Sequence, residues 1–455
     1  MGDREEIEIA DPRIMRTILL IALPAVGSYV LRMLVTTVDM IMVGRLGHIS
    51  IGAVGTSNIL IFLFQSVMIA LSTGSMIVIA HHMGKKRYDD ANEVLSESTW
   101  LSLVLGGLFA VVGFIFGRGI LSFITDNVEV LNSADGYLKI VMFSLPLMFF
   151  GFISANCLRG AGDTRTPLLV DLVTNILNMV LDYLLIFGVG PFPAMGVEGA
   201  ALATTIAFSI NALIYFLVLA SGKTVLRIRP SMGTKHISEI LFLGLPASIE
   251  RAGIQGSNFL YTGMVGLFGP TTLAAHLIGI RVESLSFMPG FGFYTSSAVL
   301  VGQSLGSGNE EMAKKYAVGS MKVCMALMGA IGIFMLIFPQ ILSGIFTNEA
   351  EVIEISEFYI QLMGISQVFT AIDFAMTGAL RGSGNTLFPM YATLASRFLI
   401  RLPIAYYLGY TMSMGINGVW LGMMADMAFK SVLVFVKFKR DGFKGARYSL
   451  DHRPG

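Results

Sequence analysis

The two halves of this chain carry the same motifs in the same register. Residues 39–47 read DMIMVGRLG and residues 261–269 read YTGMVGLFG, while residues 157–164 read CLRGAGDT and residues 379–386 read ALRGSGNT. Each pair is separated by 222 positions. The same offset relates three further pairs: Pro24 and Pro246, Gly84 and Gly306, and Pro167 and Pro389. A constant offset over more than 140 residues indicates an internal duplication. In an apolar chain, related halves are typical of secondary transporters, whose substrate site lies between the repeats.

The composition predicts an all-α polytopic membrane protein. Hydrophobic residues make up 54% of the chain before glycine is counted, charged residues make up 13%, and the mean hydropathy is +0.73. Soluble domains reach roughly 45–50% apolar residues with glycine included. The net charge of +1 gives no indication of nucleic acid binding. The amino terminus lacks the pattern of a cleaved signal, so the first apolar stretch is expected to be a retained span.

Twelve stretches are long and apolar enough to cross a bilayer, which needs about 20 residues each. Six fall in each half, so the repeats are parallel and related by an axis along the membrane normal. The predicted spans are 16–43, 52–80, 94–117, 135–157, 167–190, 196–220, 236–266, 273–301, 316–340, 354–379, 387–409 and 415–437. The predicted organisation is a cytoplasmic amino terminus (1–15), an N-lobe (16–220), a cytoplasmic linker (221–235), a C-lobe (236–437) and a cytoplasmic tail (438–455).

Basic residues fix the predicted orientation. In the loops, near the ends of the predicted spans and at the termini, 21 lysines and arginines fall on one side and three fall on the other, namely Arg45, Arg118 and Lys139. Because basic residues concentrate in cytoplasmic loops, both termini are expected in the cytoplasm.

The fifth predicted span carries a polar stripe. Asp171, Asn175, Asn178 and Asp182 follow each other at helical spacing and share one face, which must therefore meet protein or water rather than lipid. Asp39 lies near the outer end of the first span. Oxygen ligands of this kind suit a hard cation such as Na⁺. The same carboxylates could carry protons instead, because desolvation favours the protonated form. The alternative interpretation is a structural polar network.

The duplication provides an internal control for that stripe. Shifted by 222 residues, Asp39 corresponds to Tyr261 and Asp182 to Ile404, while Arg397 and Arg401 occupy the second stripe. We therefore predict that cation coupling is confined to the first lobe. The second lobe has its own charges within spans, several of which are expected to pair because an unpartnered charge in lipid is costlier. Arg32, two helical turns before Asp39, is a possible resting partner of that carboxylate.

The chain resembles the multidrug and toxic-compound extrusion (MATE) family over nearly its whole length. The resemblance is carried by MVGRLG (42–47), CLRGAGDTRTP (157–167), NILNMVLDYLLIFG (175–188), GVEGAALAT (196–204) and RVESLSFMPGFGF (281–293). It implies two six-helix lobes forming a V, export driven by inward movement of Na⁺ or protons, and a hinge at Pro24. The cation site that it implies comprises Asp39, Asn178, Asp182 and Thr204, which would hold Na⁺, with Ala200 as a carbonyl donor and Asn156 as a weaker candidate.

Other residues are candidates for the substrate cavity or for ion pairs. Glu250 and Asp373 could either touch substrate or close an ion pair. The full set of cavity candidates is Glu250, Asp373, Glu283, Arg281, Arg397, Met33 and Met288. Histidines are dispersed, and the adjacent His81 and His82 show no metal-ligand spacing.

Four functional classes compete for this sequence. A cation-coupled multidrug or metabolite exporter, working by alternating access, is favoured. The alternative is a flippase for lipid-linked or amphipathic anionic substrates, which stays open because several arginines lie within the predicted spans, namely Arg32, Arg281, Arg397 and Arg401. A channel would not need two lobes with a one-sided acidic stripe, and no nucleophile–base pair, phosphate loop or metal motif indicates an enzyme. We expect no cofactor apart from the coupling ion, amphipathic and often cationic substrates, surrounding membrane lipid, no nucleic acid, a monomer, and a plasma (inner) membrane location.

Overall fold

The computed structural model of the protein describes residues 12–229, 233–444 and 446–448. Residues 1–11 of the predicted amino-terminal segment, residues 230–232 of the predicted linker, and residues 445 and 449–455 of the predicted tail therefore lie outside the described residues. All regular secondary structure in the described residues is helical. The first six long helices are α1 (Pro12–Gly44), α2 (His48–Gly84), α3 (Tyr88–Leu121), α4 (Val128–Gly160), α5 (Arg165–Phe187) and α6 (Gly196–Ala220).

The second half repeats this order with two irregularities. Its helices are α7 (Ile237–Gly266), α8 (Pro270–Gly306), α9 (Glu310–Ile337), the short α10 (Pro339–Gly344), α11 (Ala350–Gly382), α12 (Leu387–Ala395), α13 (Leu402–Tyr406) and α14 (Gly415–Asp441). Two π-helical turns, Ser396–Arg401 and Tyr407–Thr411, join and extend α12 and α13 into one span. Pro403 lacks the amide hydrogen that an α-helix requires at this point, and local π-helical geometry is one way in which a membrane helix satisfies the backbone groups that a proline frees.

The helix bounds confirm the duplication at the structural level. Helices α2 and α8 begin and end 222 residues apart, and so do α4 and α11. With α12 and α13 counted as one span and α10 set aside, the described residues contain the twelve predicted helices. Several run four to seven residues beyond their predicted limits, because polar turns at both ends continue the helix outside the apolar window.

Nine helices of the described residues are long and apolar enough to cross a membrane, namely α1 to α6, α9, α11 and α14. The other three predicted spans are α7, α8 and the irregular α12–α13 span. Charged residues such as Glu250, Arg251 and Glu283 lower the hydropathy of α7 and α8. The chain is thus a multi-pass helical membrane protein.

The chain divides into two compact units whose limits fall inside helices. The N-unit is Val30–Leu245, and the C-unit is Met1–Tyr29 together with Pro246–Gly455. The predicted limit between lobes lay in the linker at 221–235 instead. Helix α1 therefore begins in the C-unit and ends in the N-unit, and α7 does the opposite.

Two helix crossings, equivalent under the 222-residue offset, explain these limits. In the C-unit, a Cβ on Gly292 would lie 2.9 Å from the Ala22 carbonyl oxygen, and Ser296 donates a hydrogen bond to the Ile18 carbonyl at 3.3 Å. In the N-unit, a Cβ on Gly244 would lie 1.9 Å from the Ala70 carbonyl oxygen. There, a Cβ on Gly74 would lie 2.0 Å from the Ile240 carbonyl oxygen. Each unit thus contains the first part of the other repeat's first helix, packed closely through small residues.

Each unit has its own apolar core. In the N-unit, α4 packs against α2, α3 and α6, and α5 packs against α6. Residues such as Leu60, Leu138 and Phe149 form its centre. In the C-unit, α11 packs against α8, α9 and α14, around Tyr359 and Trp420 at one end and Ala375 and Leu380 further along.

Candidate functional site

Asp39 and Asp182 meet inside the N-unit. Asp39 lies in the last turns of α1, and Asp182 lies in the second half of α5, where it is 1% exposed. The two carboxyl groups lie close together and interact electrostatically with each other. Two carboxylates this close repel each other unless a proton or a cation lies between them. The arrangement is therefore suited to holding one positive charge.

Three polar atoms at this place have no hydrogen-bond partner. They are Asp39 Oδ1, Asp182 Oδ2 and Asn178 Nδ2, all buried. A buried polar group without a partner costs roughly 1–3 kcal/mol. Tyr137 of α4 is also buried and interacts electrostatically with both carboxyl groups. Asp39 Oδ1 and Asp182 Oδ2 are therefore hydrogen-bond acceptors that a bound cation or proton would satisfy.

The amphipathic character of α5 brings these groups inward. Asp171, Asn178 and Asp182 are buried, whereas Ile176 and Val180 on the opposite face are about half exposed, at 52% and 50%. The polar stripe faces protein, as its spacing predicts, although Asn175 is only half-buried.

Helix α6 approaches α5 closely beside this stripe. A Cβ on Gly199 would lie 2.5 Å from the Leu185 carbonyl oxygen, so glycine is required at this crossing. Ala200 is buried and Thr204 is half-buried on the same helix. Their membership of the cation site stays a prediction that depends on the packing of α6 against α5.

Asn156 belongs to a different cluster. Its side-chain amide donates to the Phe152 carbonyl at 2.9 Å, and its Oδ1 accepts from Arg159 at 3.4 Å. Arg159 Nη2 lies 3.5 Å from Asp171 Oδ2. Because Asn156 faces a guanidinium group, we do not retain it among the proposed cation ligands.

Two arginines of the N-unit differ from their expected roles. The Arg32 guanidinium lies 3.9 Å from Asp171 Oδ2, so its partner is Asp171 rather than Asp39. Arg159, which follows the fourth predicted span, is one of the 21 basic residues on the predicted cytoplasmic side, but its side chain is only 2% exposed. The sequence offered no sign of this burial, because Arg159 stands at the end of an apolar stretch, where a loop residue is also expected.

In the C-unit, Glu250 is held by three partners. Its carboxylate pairs with Arg381, accepts a hydrogen bond from Thr393 at 2.7 Å and lies 3.8 Å from Lys430 Nζ. Lys430 Nζ also lies 2.9 Å from Asp373 Oδ2. Glu250 and Asp373 therefore belong to one charge network, so both residues take part in ion pairs. A role for either in substrate binding stays a prediction.

The remaining cavity candidates have varied surroundings. Glu283 is buried and accepts a hydrogen bond from the Tyr359 hydroxyl. Arg397 pairs with Asp426 at 3.4 Å, whereas Arg281 is exposed. Met33 and Met288 are half-buried, in the N-unit and the C-unit respectively. Their roles in a cavity stay predictions.

The MatE family model matches the chain twice, at residues 24–184 and 246–407, so one copy falls in each repeat. The chain belongs to the MATE family. A protein of Thermotoga maritima, described as probable multidrug resistance protein NorM, is 35% identical to this chain over 94% of this chain and 92% of its own length. The probable multidrug resistance protein YoeA of Bacillus subtilis is 26% identical over 93% of both chains.

A solved structure supports the MATE fold over nearly the whole chain. It is described as the outward-facing conformation of a multidrug resistance MATE family transporter of the MOP superfamily. It superposes on this protein with a TM-score of 0.89 at 21% sequence identity, and the superposition covers 94% of this chain and 95% of the other chain. The family resemblance and the helical membrane fold are thereby confirmed, and MATE is a family of transporters rather than of enzymes.

Proposed function

We propose that this protein is a multidrug efflux antiporter that exports amphipathic, often cationic, small molecules in exchange for inward movement of Na⁺ or H⁺. The names of its relatives in Thermotoga maritima and Bacillus subtilis support multidrug efflux. The proximity of Asp39 and Asp182 carries the coupling part of the proposal, because it provides one buried site for one positive charge.

The proposed ion site is the Asp39–Asp182 pair, with Asn178, Thr204 and the Ala200 carbonyl as further oxygen ligands. Na⁺ would be bound by these oxygens, whereas H⁺ would be shared by the two carboxyl groups. When the site is empty, the two negative charges repel each other. This repulsion provides a difference in free energy between two conformations of α1, which alternating access requires.

Pro24 is the proposed hinge of this movement. Because Pro24 lies inside α1, the helix lacks one backbone hydrogen bond there and bends more easily at this point. The limit between the two compact units falls five residues later, after Tyr29. A bend near this limit would move the segment that carries Asp39 relative to the segment that precedes it.

A flippase for anionic amphipathic substrates is the less supported class. It would require arginines whose charge is available to the substrate. Arg397 is paired with Asp426, Arg32 with Asp171, and the Arg401 guanidinium lies 4.1 Å from the centre of the Tyr261 ring. These three charges have partners within the protein, although the Arg32 side chain is 45% exposed and Arg281 is exposed as well.

The rest of the assignment follows from the same proposal. We place the protein in the plasma (inner) membrane as a monomer with both termini in the cytoplasm, and with no cofactor apart from the coupling ion. Removing the buried Arg159 and Arg381 from the count of cytoplasmic basic residues leaves 19 against three, so the basis for this orientation is unchanged.

Dye efflux from proteoliposomes tests the function. A sodium gradient and a pH gradient are imposed separately on vesicles that contain the wild type, Asp39→Asn, Asp182→Asn or Asp126→Asn. Asp126 is an exposed aspartate between α3 and α4 and provides the matched control. One of the gradients should drive efflux by the wild type and the control but not by the two site variants. Driven efflux at wild-type rates in both site variants would refute the proposed coupling site.

A further inference from the structure

Four positions in or beside the proposed ion site of the N-unit have counterparts in the C-unit under the 222-residue offset. The four pairs are Asp39 and Tyr261, Tyr137 and Tyr359, Asn175 and Arg397, and Thr204 and Asp426. The C-unit residues lie on α7, on α11, in the irregular α12–α13 span and on α14, which are the counterparts of α1, α4, α5 and α6. The duplication has therefore kept these four positions and changed their chemistry.

The four C-unit residues again lie in one cluster. Arg397 Nη1 lies 3.4 Å from Asp426 Oδ2, and the Asp426 side chain is 2% exposed. Tyr261 is buried and interacts electrostatically with both Arg397 and Asp426. Tyr359 is also buried and interacts electrostatically with Arg397. The C-unit thus has a buried polar cluster at the positions that correspond to the proposed ion site.

A second carboxylate and a second guanidinium group belong to this cluster. The Glu283 carboxylate accepts a hydrogen bond from the Tyr359 hydroxyl and interacts electrostatically with Arg397 and Asp426. The Arg401 guanidinium lies 4.1 Å from the centre of the Tyr261 ring, which is a cation–π distance. Two carboxylates and two guanidinium groups leave the C-unit cluster without a net charge.

The charge balance of the N-unit pair is different. Asp39 and Asp182 are two carboxyl groups close together, and neither forms an ion pair among the described residues. Such a pair needs a positive charge from outside the protein. The C-unit cluster has its positive charges on its own side chains and needs none from solution.

Both guanidinium groups come from one π-helical turn, Ser396–Arg401. The corresponding residues of α5, 174–179, form a regular α-helix. π-Helical turns occur frequently at functional sites. The C-unit therefore departs from the N-unit in backbone geometry at the place where it gains its two cations.

Asp426 depends on Arg397 for its charge partner. Arg397 is its partner in the one ion pair that Asp426 forms among the described residues, and Asp426 Oδ1 is buried without a hydrogen bond. A buried carboxylate that loses its cation is strongly destabilising. The Arg397 side chain is 18% exposed, so a small solute could reach its place from the surface of the unit.

We propose that Arg397 is a tethered cation, which does for the C-unit cluster what the coupling ion does for the Asp39–Asp182 pair. Truncating its side chain would open a binding site for a small planar cation beside Asp426 and Glu283. The comparison rests on the proposed ion site of the N-unit, and it implies that each transport cycle uses the single ion of that site. The C-unit cluster itself does not depend on transport and can be tested separately.

Chemical rescue tests this proposal in the purified full-length protein. Unfolding on heating in detergent is followed with a thiol-reactive fluorophore, because Cys157 and Cys324 are buried. Arg397→Ala should unfold at a lower temperature than the wild type. Millimolar guanidinium chloride should restore half or more of that loss, because a ligand stabilises the state that binds it. Urea at the same concentration, which is similar in shape but uncharged, should restore none of it, and neither solute should stabilise the wild type.

Further variants separate the charge of Arg397 from its packing. Arg397→Lys keeps the charge and Arg397→Gln removes it, so the lysine variant should unfold at the higher temperature of the two. Arg397→Ala combined with Asp426→Asn should not respond to guanidinium, because the carboxylate that would bind it is gone. Arg440→Ala alters an arginine that is 84% exposed and should neither lose stability nor respond.

The outcome does not depend on the coupling site. Asp39→Asn combined with Arg397→Ala should keep the guanidinium response even if it transports nothing, so failure of the coupling site and failure of this proposal are distinguishable. An unchanged unfolding temperature in Arg397→Ala, or rescue no greater than that by urea, would overturn the proposal. If Arg397→Ala does not fold, an Arg397→Lys variant no more stable than Arg397→Gln would overturn it equally.

Discussion

Arg159 and Arg381 stand at the same position of the two repeats, and each pairs with a buried carboxylate of its own unit. Arg159 contacts Asp171 at 3.5 Å, and Arg381 contacts Glu250. The arginine of the repeated LRG motif is therefore kept in both halves, while its partner has changed from α5 in the N-unit to α7 in the C-unit. The motif ends a long helix in each repeat, and the arginine ties that end to a neighbouring helix.

Replacing Asp171 with asparagine should destabilise the protein. The substitution leaves Arg159 buried without its nearest carboxylate, and breaking a buried pair by removing one partner typically costs about 3–5 kcal/mol. Cys157 and Cys324 are both buried and free, so a thiol-reactive fluorophore reports unfolding during heating in detergent. Asp171→Asn should unfold at a clearly lower temperature than the exposed-site control Asp126→Asn. Equal unfolding temperatures would show that the Arg159 pair contributes nothing to stability.

Gly244 and Gly256 on α7 should respond differently to the same substitution. A Cβ at Gly244 would lie 1.9 Å from the Ala70 carbonyl oxygen, whereas a Cβ at Gly256 would meet no atom within 4 Å. Overpacking of this kind costs about 1–3 kcal/mol, and a backbone atom cannot rotate away. Gly244→Ala should therefore lower the unfolding temperature and the yield of folded protein, whereas Gly256→Ala should leave both unchanged. A tolerated Gly244→Ala would contradict the close crossing of α2 and α7.

Much of the helical architecture was predictable from the sequence. The length of each apolar stretch indicates a spanning helix, and the duplication indicates which helices of the two halves correspond. The apolar windows predicted α6 at its observed limits, 196–220, and the 222-residue offset matched α2 with α8. The limits of the two units were not predictable in this way. They depend on close crossings at residues such as Gly74 and Gly244, and a glycine in an apolar helix does not indicate which helix it contacts.

The candidate site was predictable only in part, for a related reason. Helical periodicity correctly placed Asn178 and Asp182 together on the buried face of α5. The contribution of Tyr137 was missed, because a single tyrosine in an apolar helix has no distinguishing pattern. The partner of Arg32 was wrong, because spacing within one helix favoured Asp39, whereas the fold brings a carboxylate of α5 closer.

Pro24→Ala should slow transport without weakening substrate binding. Alanine would restore the amide that can donate to the Leu20 carbonyl and would favour the straight helix by up to ~3 kcal/mol. If α1 must bend in each cycle, turnover should fall roughly tenfold or more. Pro146→Ala is the matched control, because Pro146 interrupts α4, which lies wholly within the N-unit. Turnover is measured as initial dye efflux and binding as dye fluorescence in detergent. Wild-type turnover in Pro24→Ala would contradict the hinge.

Asp39 and Asp182 should behave as one unit in a double-mutant cycle. Because the two carboxyl groups lie close together and would share one ion, either single asparagine substitution removes the charge balance that the ion requires. We expect Asp39→Asn, Asp182→Asn and the double variant to reduce gradient-driven efflux to the same residual rate. The exposed Asp126→Asn, combined with either site variant, should add nothing further. A different outcome is that each single variant reduces the efflux rate only partly and the double variant reduces it by the product of the two single factors. The carboxylates would then act independently, and a shared ion site would be excluded.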